Sequence, residues 1–345
     1  MPDREASRSL VIAPQWIGDA VMAEPLLRRL RARGERVSVG ALPWVAPLFQ
    51  AMPQVDEIIE FPFAHGGLQW RARRQLARRM EGRFDRAYVL PNSLKSALLP
   101  FLAGIPKRIG YLGEARVGLL TQRLKNPPKA SRPPMVEWYS RLSGAADTAG
   151  DRPSLRLARP LVDQTLSEYD LRRGQYLVFA PGAEYGPAKR WPSTGFGQLA
   201  QQCSLPVLLL GSAKEAVLGD EIASLAPGRC RNLCGKTTLL QALALISAAG
   251  SVVSNDSGLM HVAAAFGVPQ VTLFGSSSPL HTPPLNDRAA VIWLKNDPLY
   301  QPPLDCAPCF QRDCPLGHTR CLVDIGAQRV LHLLQAQAQG ATPAA

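Results

Sequence analysis

The sequence predicts two α/β domains in tandem, each built on a doubly wound parallel sheet, and three observations carry the prediction. A chain of 345 residues exceeds what one hydrophobic core ordinarily serves, so two domains of roughly 160 to 175 residues are expected. Short β-branched apolar runs alternate with stretches of helical periodicity in both halves, the arrangement of parallel sheets covered by helices. A polar, Pro-rich stretch from about Asp147 to Pro160 reads as the linker, giving domains 1–160 and 161–345.

In the first half, Leu10 to Ala13 forms the opening strand, Pro14 to Asp19 a loop, and about Ala20 to Arg33 a helix. Val37 to Leu42 is the second strand. Residues 71–86 set Arg71, Arg73, Arg74, Arg78, Arg79, Arg83 and Arg86 against only Glu81 and Asp85, which describes a helix with a basic face. Arg86 to Pro91 follows as a strand, and Asn92-Ser93 caps a helix carrying Lys95, Ala97 and Leu98. The second half restarts with strand Tyr176 to Ala180 and the loop Pro181 to Pro192. Pro206 to Leu210 and Val252-Val253 are further strands, each ending in a polar loop. Thr238-Leu239-Leu240-Gln241 matches a capping box. Leu259, Val262, Ala263 and Phe266 recur at helical spacing until Gly267 and Pro269 stop the helix, and Gln270 to Phe274 is a buried strand. Ile325 to Gln337 is the last helix.

Composition bounds the function classes. A hydrophobic fraction of 46% and a mean hydropathy of −0.05 support sizeable cores, while no run approaches the roughly 20 apolar residues of a membrane helix. The N-terminal MPDREASRSL lacks a basic segment followed by an apolar one, so a cytoplasmic protein is expected. Net charge is +12, and residues 1–160 hold 26 Lys+Arg against 14 Asp+Glu, whereas 161–345 hold 13 of each. The Arg-rich helix by itself is consistent with a solvated surface. A bias spread over the whole N-terminal domain favours an acidic partner: an anionic membrane surface or a polyanionic substrate, with nucleic acid disfavoured because no recognised binding motif accompanies the charge.

The densest chemical signal is SNDSGLMHVAAAFGVPQVTLFGSSSPLHTPP, residues 254–284. Small polar residues and Gly258 sit between a strand and a helix start, where free N–H groups and the macrodipole attract a phosphate without a metal. His261 adds a titratable donor one turn in. A capped core helix with a buried histidine explains the same pattern, and the two readings stay open here. Ligands of parallel sheets bind beyond the carboxyl ends of the strands. Lys189 and Arg190, the Gly211 to Glu215 turn and the Asn255 to Gly258 turn all follow strands of the second domain, so they are expected on one rim of a cleft between the domains. In the first domain, Asp19 behind the opening strand either caps the helix at Ala20 or presents a reactive carboxylate.

No G-x-G-x-x-G follows a strand, Gly228 to Thr237 has six residues between its glycines where a P-loop needs four, and G-x-S-x-G and H-E-x-x-H are absent. Four of the seven cysteines form Cys306-x2-Cys309-x4-Cys314-x6-Cys321 beside His318. They would hold a structural zinc or stay as free thiols; the spacing departs from paired CxxC knuckles and decides neither.

The segments APQWIGDAVMAEPLLRRLR (13–31), RAYVLPNSLKSALLPFLAGIPKRIGY (86–111), PGAEYGPAKRWP (181–192), LLGSAKE (209–215) and SNDSGLMHVAAAFGVPQVTLFGSSSP (254–279) resemble the ADP-heptose:lipopolysaccharide heptosyltransferases of type II, in glycosyltransferase family 9. The likeness runs from about residue 10 to 335. It implies the GT-B arrangement, two Rossmann-like domains facing a cleft, with the sugar nucleotide held mainly by the C-terminal one. It also implies inverting transfer of L-glycero-D-manno-heptose from ADP-heptose to the first heptose of the lipopolysaccharide inner core, with no cofactor required for catalysis. By the same resemblance Asp19 is the general base, Lys189 neutralises the departing diphosphate, and Asp256, Ser257, Gly258 and His261 hold the donor. Glu215 contacts its ribose or adenine. The acceptor would be a lipid in the inner leaflet, which gives the basic N-terminal domain, with Arg74 and Arg78, a reason to sit at the cytoplasmic face of the inner membrane. A heptosyltransferase of another core position, another GT-B nucleotide-sugar transferase, a binding component without turnover and a GT-B-like epimerase are the alternatives.

Overall fold

The computed structural model describes residues 6–63, 67–128 and 132–338. The chain divides into two compact units, Met1–Arg156 and Leu157–Ala345, and each is a Rossmann-like sandwich of helices around a six-stranded parallel sheet.

In the first unit the strands are β1 (Arg8–Ile12), β2 (Arg36–Ala41), β3 (Glu57–Glu60), β4 (Arg86–Val89), β5 (Lys107–Tyr111) and β6 (Gln122–Leu124), in the order β3-β2-β1-β4-β5-β6. Leu10, Val11, Val37, Val39, Ala87 and Val89 on the central strands are at most 1% exposed. That burial fits near-continuous apolar runs in a sheet covered on both faces. The helices are α1 (Ile17–Met22), α2 (Glu24–Ala32), α3 (Trp70–Met80), α4 (Leu94–Leu102) and α5 (Met135–Arg141).

Two expectations for this unit need correction. The single helix expected from Ala20 to Arg33 is two helices meeting at Ala23, with Pro25 in the first turn of the second. A proline ring would collide with the carbonyl four residues earlier inside one continuous helix, but it is tolerated in a first turn. The first helix starts at Ile17, so Asp19 lies within it and Trp16 occupies the N-cap. The basic helix is also shorter than the arginine run. Arg83 pairs with Glu57 at 2.7 Å and Arg86 with buried Glu35 at 3.2 Å. Arg73 is itself buried, donating to the Leu68 and Lys95 carbonyls at 2.7 and 3.0 Å and lying over the Phe63 ring. Arg71, Arg74, Arg78 and Arg79 are exposed on α3.

The segment read as a linker is tied to the first unit before α6 (Arg159–Glu168) begins. Asp151 receives two bonds from Arg29 at 2.7 and 2.8 Å, and Ser154 N–H donates to buried Glu24 at 3.0 Å.

The second unit repeats the topology with β7 (Leu177–Ala180), β8 (Val207–Leu209), β9 (Cys230–Asn232), β10 (Ser251–Asn255), β11 (Gln270–Phe274) and β12 (Ala289–Trp293), ordered β12-β11-β10-β7-β8-β9. Its helices after α6 are α7 (Ser193–Gln202), α8 (Ala216–Leu225), α9 (Leu239–Ser247), α10 (Gly258–Ala265), α11 (Arg320–Val323) and α12 (Ala327–Ala338). Thr238 and Gln241 form the expected capping box at the start of α9. The core gathers Phe179, Trp191, Phe196 and Leu199 against α12 residues Val330 and Leu334. The Trp191 indole N–H is satisfied by the Ile325 carbonyl at 2.9 Å. No helix among the described residues is long and apolar enough to cross a membrane.

Candidate functional site

The strand order of the second unit sets the position of its site. β7 connects forward to β8 on one side, while its other neighbour, β10, connects to β11 on the opposite side. The connections diverge here, and ligands of such sheets bind beyond the carboxyl ends of the strands at this switch point, β7 and β10. Two sequence-predicted segments meet at it: the loop 181–192 after β7 and the turn 255–258 after β10.

Asn255 joins them. Fully buried, it accepts from Trp191 N–H at 2.9 Å and donates to the Pro181 carbonyl at 2.7 Å, so one amide clamps both ends of the loop. The clamped loop includes a short 3₁₀ turn, Pro187–Lys189, whose last residue reaches back to the strand end. Lys189 Nζ lies 2.5 Å from Asp256 Oδ2, with the lysine side chain 20% and the aspartate 5% exposed. The Tyr185 ring lies 5.7 Å from the same ammonium. Thr282 Oγ1 approaches the other carboxylate oxygen at 3.5 Å.

The helix after this turn begins as an anion site does. Ser257, at the N-cap, is extended and its side chain makes no capping bond, so the first N–H groups of α10 have no side-chain partner there. The hydroxyls of Ser254, Ser257, Ser276 and Ser277 are buried without a partner among the described residues. Buried polar atoms ordinarily find one, and four orphan hydroxyls around the ends of β10 and β11 are the kind of surface a multi-oxygen ligand satisfies.

His261 is buried, as the core-helix reading expected. It is 6% exposed, and burial drives its pKa down to about 4; the Asp256 charge opposes this and that of Lys189 adds to it. The imidazole is neutral at ordinary pH and contributes no positive charge. Glu215 is also committed elsewhere: it closes a capping box with Ser212, accepting from the Ser212 N–H at 2.7 Å and its hydroxyl at 2.5 Å. It packs directly under Gly182, where a Cβ would come within 2.7 Å of its Cγ.

Cys306, Cys309, Cys314, Cys321 and His318 line one cavity of about 20 Å³, with Ala188 and Ser276 on its wall. All seven cysteines are free thiols. Burial pushes the Cys314 thiol up, but backbone N–H groups of Thr319, Leu316, Gly317 and His318 bring it below its usual value. Burial, followed by the neighbouring thiols, pushes Cys321 up to about 11. Among the described residues no three His, Cys, Asp or Glu side chains converge to hold a metal ion. What the loop visibly does is brace the lysine loop. Ala188 N–H donates to the Arg312 carbonyl at 3.0 Å, the Tyr185 hydroxyl to the Phe310 carbonyl at 2.8 Å, and Phe310 N–H to the Ser276 carbonyl at 2.7 Å. Gly186 is required because a Cβ there would lie 2.5 Å from the Arg312 oxygen.

In the first unit, Asp19 is half-buried in the first turn of α1, where a carboxylate is favoured by the helix dipole. Since Trp16 is the N-cap, Asp19 does not have that role. Its charge reaches Tyr139 on α5, whose phenol is held well above its usual pKa by burial first and Asp19 second. Arg74 and Arg78 lie one turn apart on the exposed side of α3. Sequence reasoning assigned no role to Asn255, Tyr139, Tyr185 or Arg312. Only Asn255 carried a signal, as a fully polar side chain placed at the end of a buried strand.

The family described as Glycosyltransferase family 9 (heptosyltransferase) matches residues 73–319. Lipopolysaccharide heptosyltransferase 2 of Escherichia coli (strain K12) is 44% identical over 347 residues, spanning 95% of this chain and 97% of the relative. Lipooligosaccharide heptosyltransferase 2 of Haemophilus influenzae (strain ATCC 51907 / DSM 11121 / KW20 / Rd) is 36% identical over 94% of this chain and 97% of its own. The solved structure of E. coli ADP-heptose lps heptosyltransferase II aligns with a TM-score of 0.83 at 39% identity, covering 96% of this chain and 99% of that one. With the family match over most of the chain and relatives similar along nearly its whole length, this protein belongs to glycosyltransferase family 9, the heptosyltransferase family.

Proposed function

We propose that the enzyme transfers L-glycero-D-manno-heptose from ADP-heptose, with inversion, to the first heptose of the lipopolysaccharide inner core. The observation that carries this reading is the Lys189–Asp256 pair at the switch point of the second unit, in a chain similar end to end to type 2 heptosyltransferases.

In this mechanism the Asp19 carboxylate takes the proton of the acceptor hydroxyl as that oxygen attacks the anomeric carbon. The bond from that carbon to the diphosphate breaks on the opposite face, and ADP leaves. One displacement inverts the centre and needs no covalent nucleophile. Lys189 and the N–H groups at Ser257 and Gly258 take up the charge that accumulates on the leaving diphosphate. Asp256 holds Lys189 in place before the donor arrives, and neutral His261 supports the turn from beneath. Glu215 keeps Oε2 on Ser212 and turns its other carboxylate oxygen to the ribose hydroxyls. No step draws on a metal. A zinc ion at Cys306, Cys309, Cys314 and Cys321 would be structural, would require the thiols to draw together, and is decided by metal content per purified chain.

The exposed Arg74 and Arg78 serve the acceptor side, where a phosphorylated, acidic glycolipid at the cytoplasmic face of the inner membrane meets positive charge. The test is direct incubation with ADP-heptose and an acceptor carrying one heptose. A mass gain of one heptose supports the reading; gain only on an acceptor without heptose moves the reaction to another core position.

A further inference from the structure

Trp16 and Trp44 are 48% and 45% exposed, whereas Trp138 and Trp191 are 5% and 1%. Trp70, 46% exposed, begins α3, but Trp16 and Trp44 both follow adjacent parallel strands. β1 and β2 pair up to Ile12 and Gly40, and Trp16 and Trp44 emerge in the connections just beyond, at the carboxyl ends of the strands where ligands of such sheets bind.

The two side chains belong to one local structure. The Trp44 indole N–H donates to the Gln15 carbonyl at 3.0 Å, the residue immediately before Trp16. The Trp16 carbonyl accepts from Ala20 N–H at 2.9 Å, opening the helical turn that contains Asp19. Trp44 is thus anchored by its polar edge while about half of its surface faces solvent. An indole has more apolar area than almost any other side chain, and leaving that area in water forgoes hydrophobic stabilisation.

A sugar ring is the matching ligand. Pyranoses present one face of C–H groups to an aromatic plane while their hydroxyls remain free for hydrogen bonds, and a ring held by its N–H loses little further entropy when the sugar arrives. We infer that Trp16 and Trp44 form a stacking platform for a pyranose of the acceptor oligosaccharide, next to the carboxylate that deprotonates it. This rests on the reading of Asp19 as the base on the acceptor side.

Trp16→Ala and Trp44→Ala should each raise the acceptor KM about tenfold, as expected for loss of an aromatic contact, and leave the donor KM within about twofold. Trp44→Phe should recover part of the loss. The thermal midpoint should be little changed, because both side chains lie outside the core. Binding is measured separately by calorimetry with a delipidated acceptor carrying one heptose, using Asp19→Asn protein with and without each tryptophan. Weaker acceptor binding in the tryptophan variants supports the platform even if Asp19→Asn keeps its turnover, a result that would sink only the assignment of the base. Unchanged acceptor KM and binding in both alanine variants, or a rise confined to the donor KM, overturns the platform.

Discussion

Lys189 and Asp256 come from a loop and a strand end 67 residues apart, and their charged atoms lie 2.5 Å from each other. The pair is partly shielded from water, so it is stronger than a surface ion pair and costly to break from one side. In the proposed mechanism the pair would also keep a cation ready for the diphosphate, so that little rearrangement is needed when the leaving group develops charge.

Replacing Lys189 with Met should lower kcat on the order of a hundredfold or more, and should destabilise the fold by roughly 2 kcal/mol by leaving Asp256 buried without its partner. Lys189→Met combined with Asp256→Asn should regain the thermal midpoint but not the activity. Recovery of both would reduce the lysine to a structural role.

Asp19→Asn should reduce kcat about a thousandfold, within the usual range for loss of a general base. Calorimetric affinity for ADP-heptose should stay within about twofold, because the residues proposed to hold the donor all lie in the second unit. Turnover within tenfold of the parent enzyme would remove Asp19 from the mechanism.

Asn255→Ala strips the Trp191 N–H and the Pro181 carbonyl of their shared partner inside the protein. The expected cost is about 2 to 4 kcal/mol, read from denaturant unfolding. Because the same amide clamps the loop that presents Lys189, kcat should fall even at temperatures where the variant is folded. Full activity with reduced stability would mean that the loop does not depend on the clamp.

His261 makes stability depend on pH in a definite direction. Its folded pKa is about 4 against an ordinary value of 6.5, so the unfolded chain binds the proton more readily. Stability from this group is fully present above pH 6.5 and is lost as pH falls through about 4, by roughly 3 kcal/mol in total. His261→Gln should flatten the unfolding free energy over that window; an unchanged slope would assign the acid sensitivity elsewhere.

Arg74→Glu and Arg78→Glu should raise the apparent KM for the membrane-bound acceptor far more than for ADP-heptose, with an effect that weakens as salt is added. Equal KM values for the acceptor before and after substitution would leave the basic helix as a solvated surface.

The sequence alone determined the architecture and the chemical inventory. Alternating β-branched runs and helical periods specify two parallel sheets, because those patterns depend only on which faces must leave water. The Thr238–Gln241 box and the Gly267 stop were legible for the same reason, each being satisfied by neighbours within a few residues. The break at Ala23 was legible in principle from Pro25, whose ring cannot occupy the interior of a continuous helix. The resemblance singled out Asp19, Lys189, Asp256, Ser257, Gly258 and His261 as residue types in order along the chain.

Tertiary structure decided what those residues do to one another. Three arginines of the basic run turn out to be paired or buried because Glu57, Glu35 and the Phe63 ring come to them across the sheet. His261 loses its proton to burial, and Asn255 clamps a loop that lies 64 to 74 residues earlier in the chain. Distance and desolvation set these outcomes, and both arise only when the strands pair: a local pattern records which groups are available, whereas the packed fold fixes which charges meet and which are stripped of water.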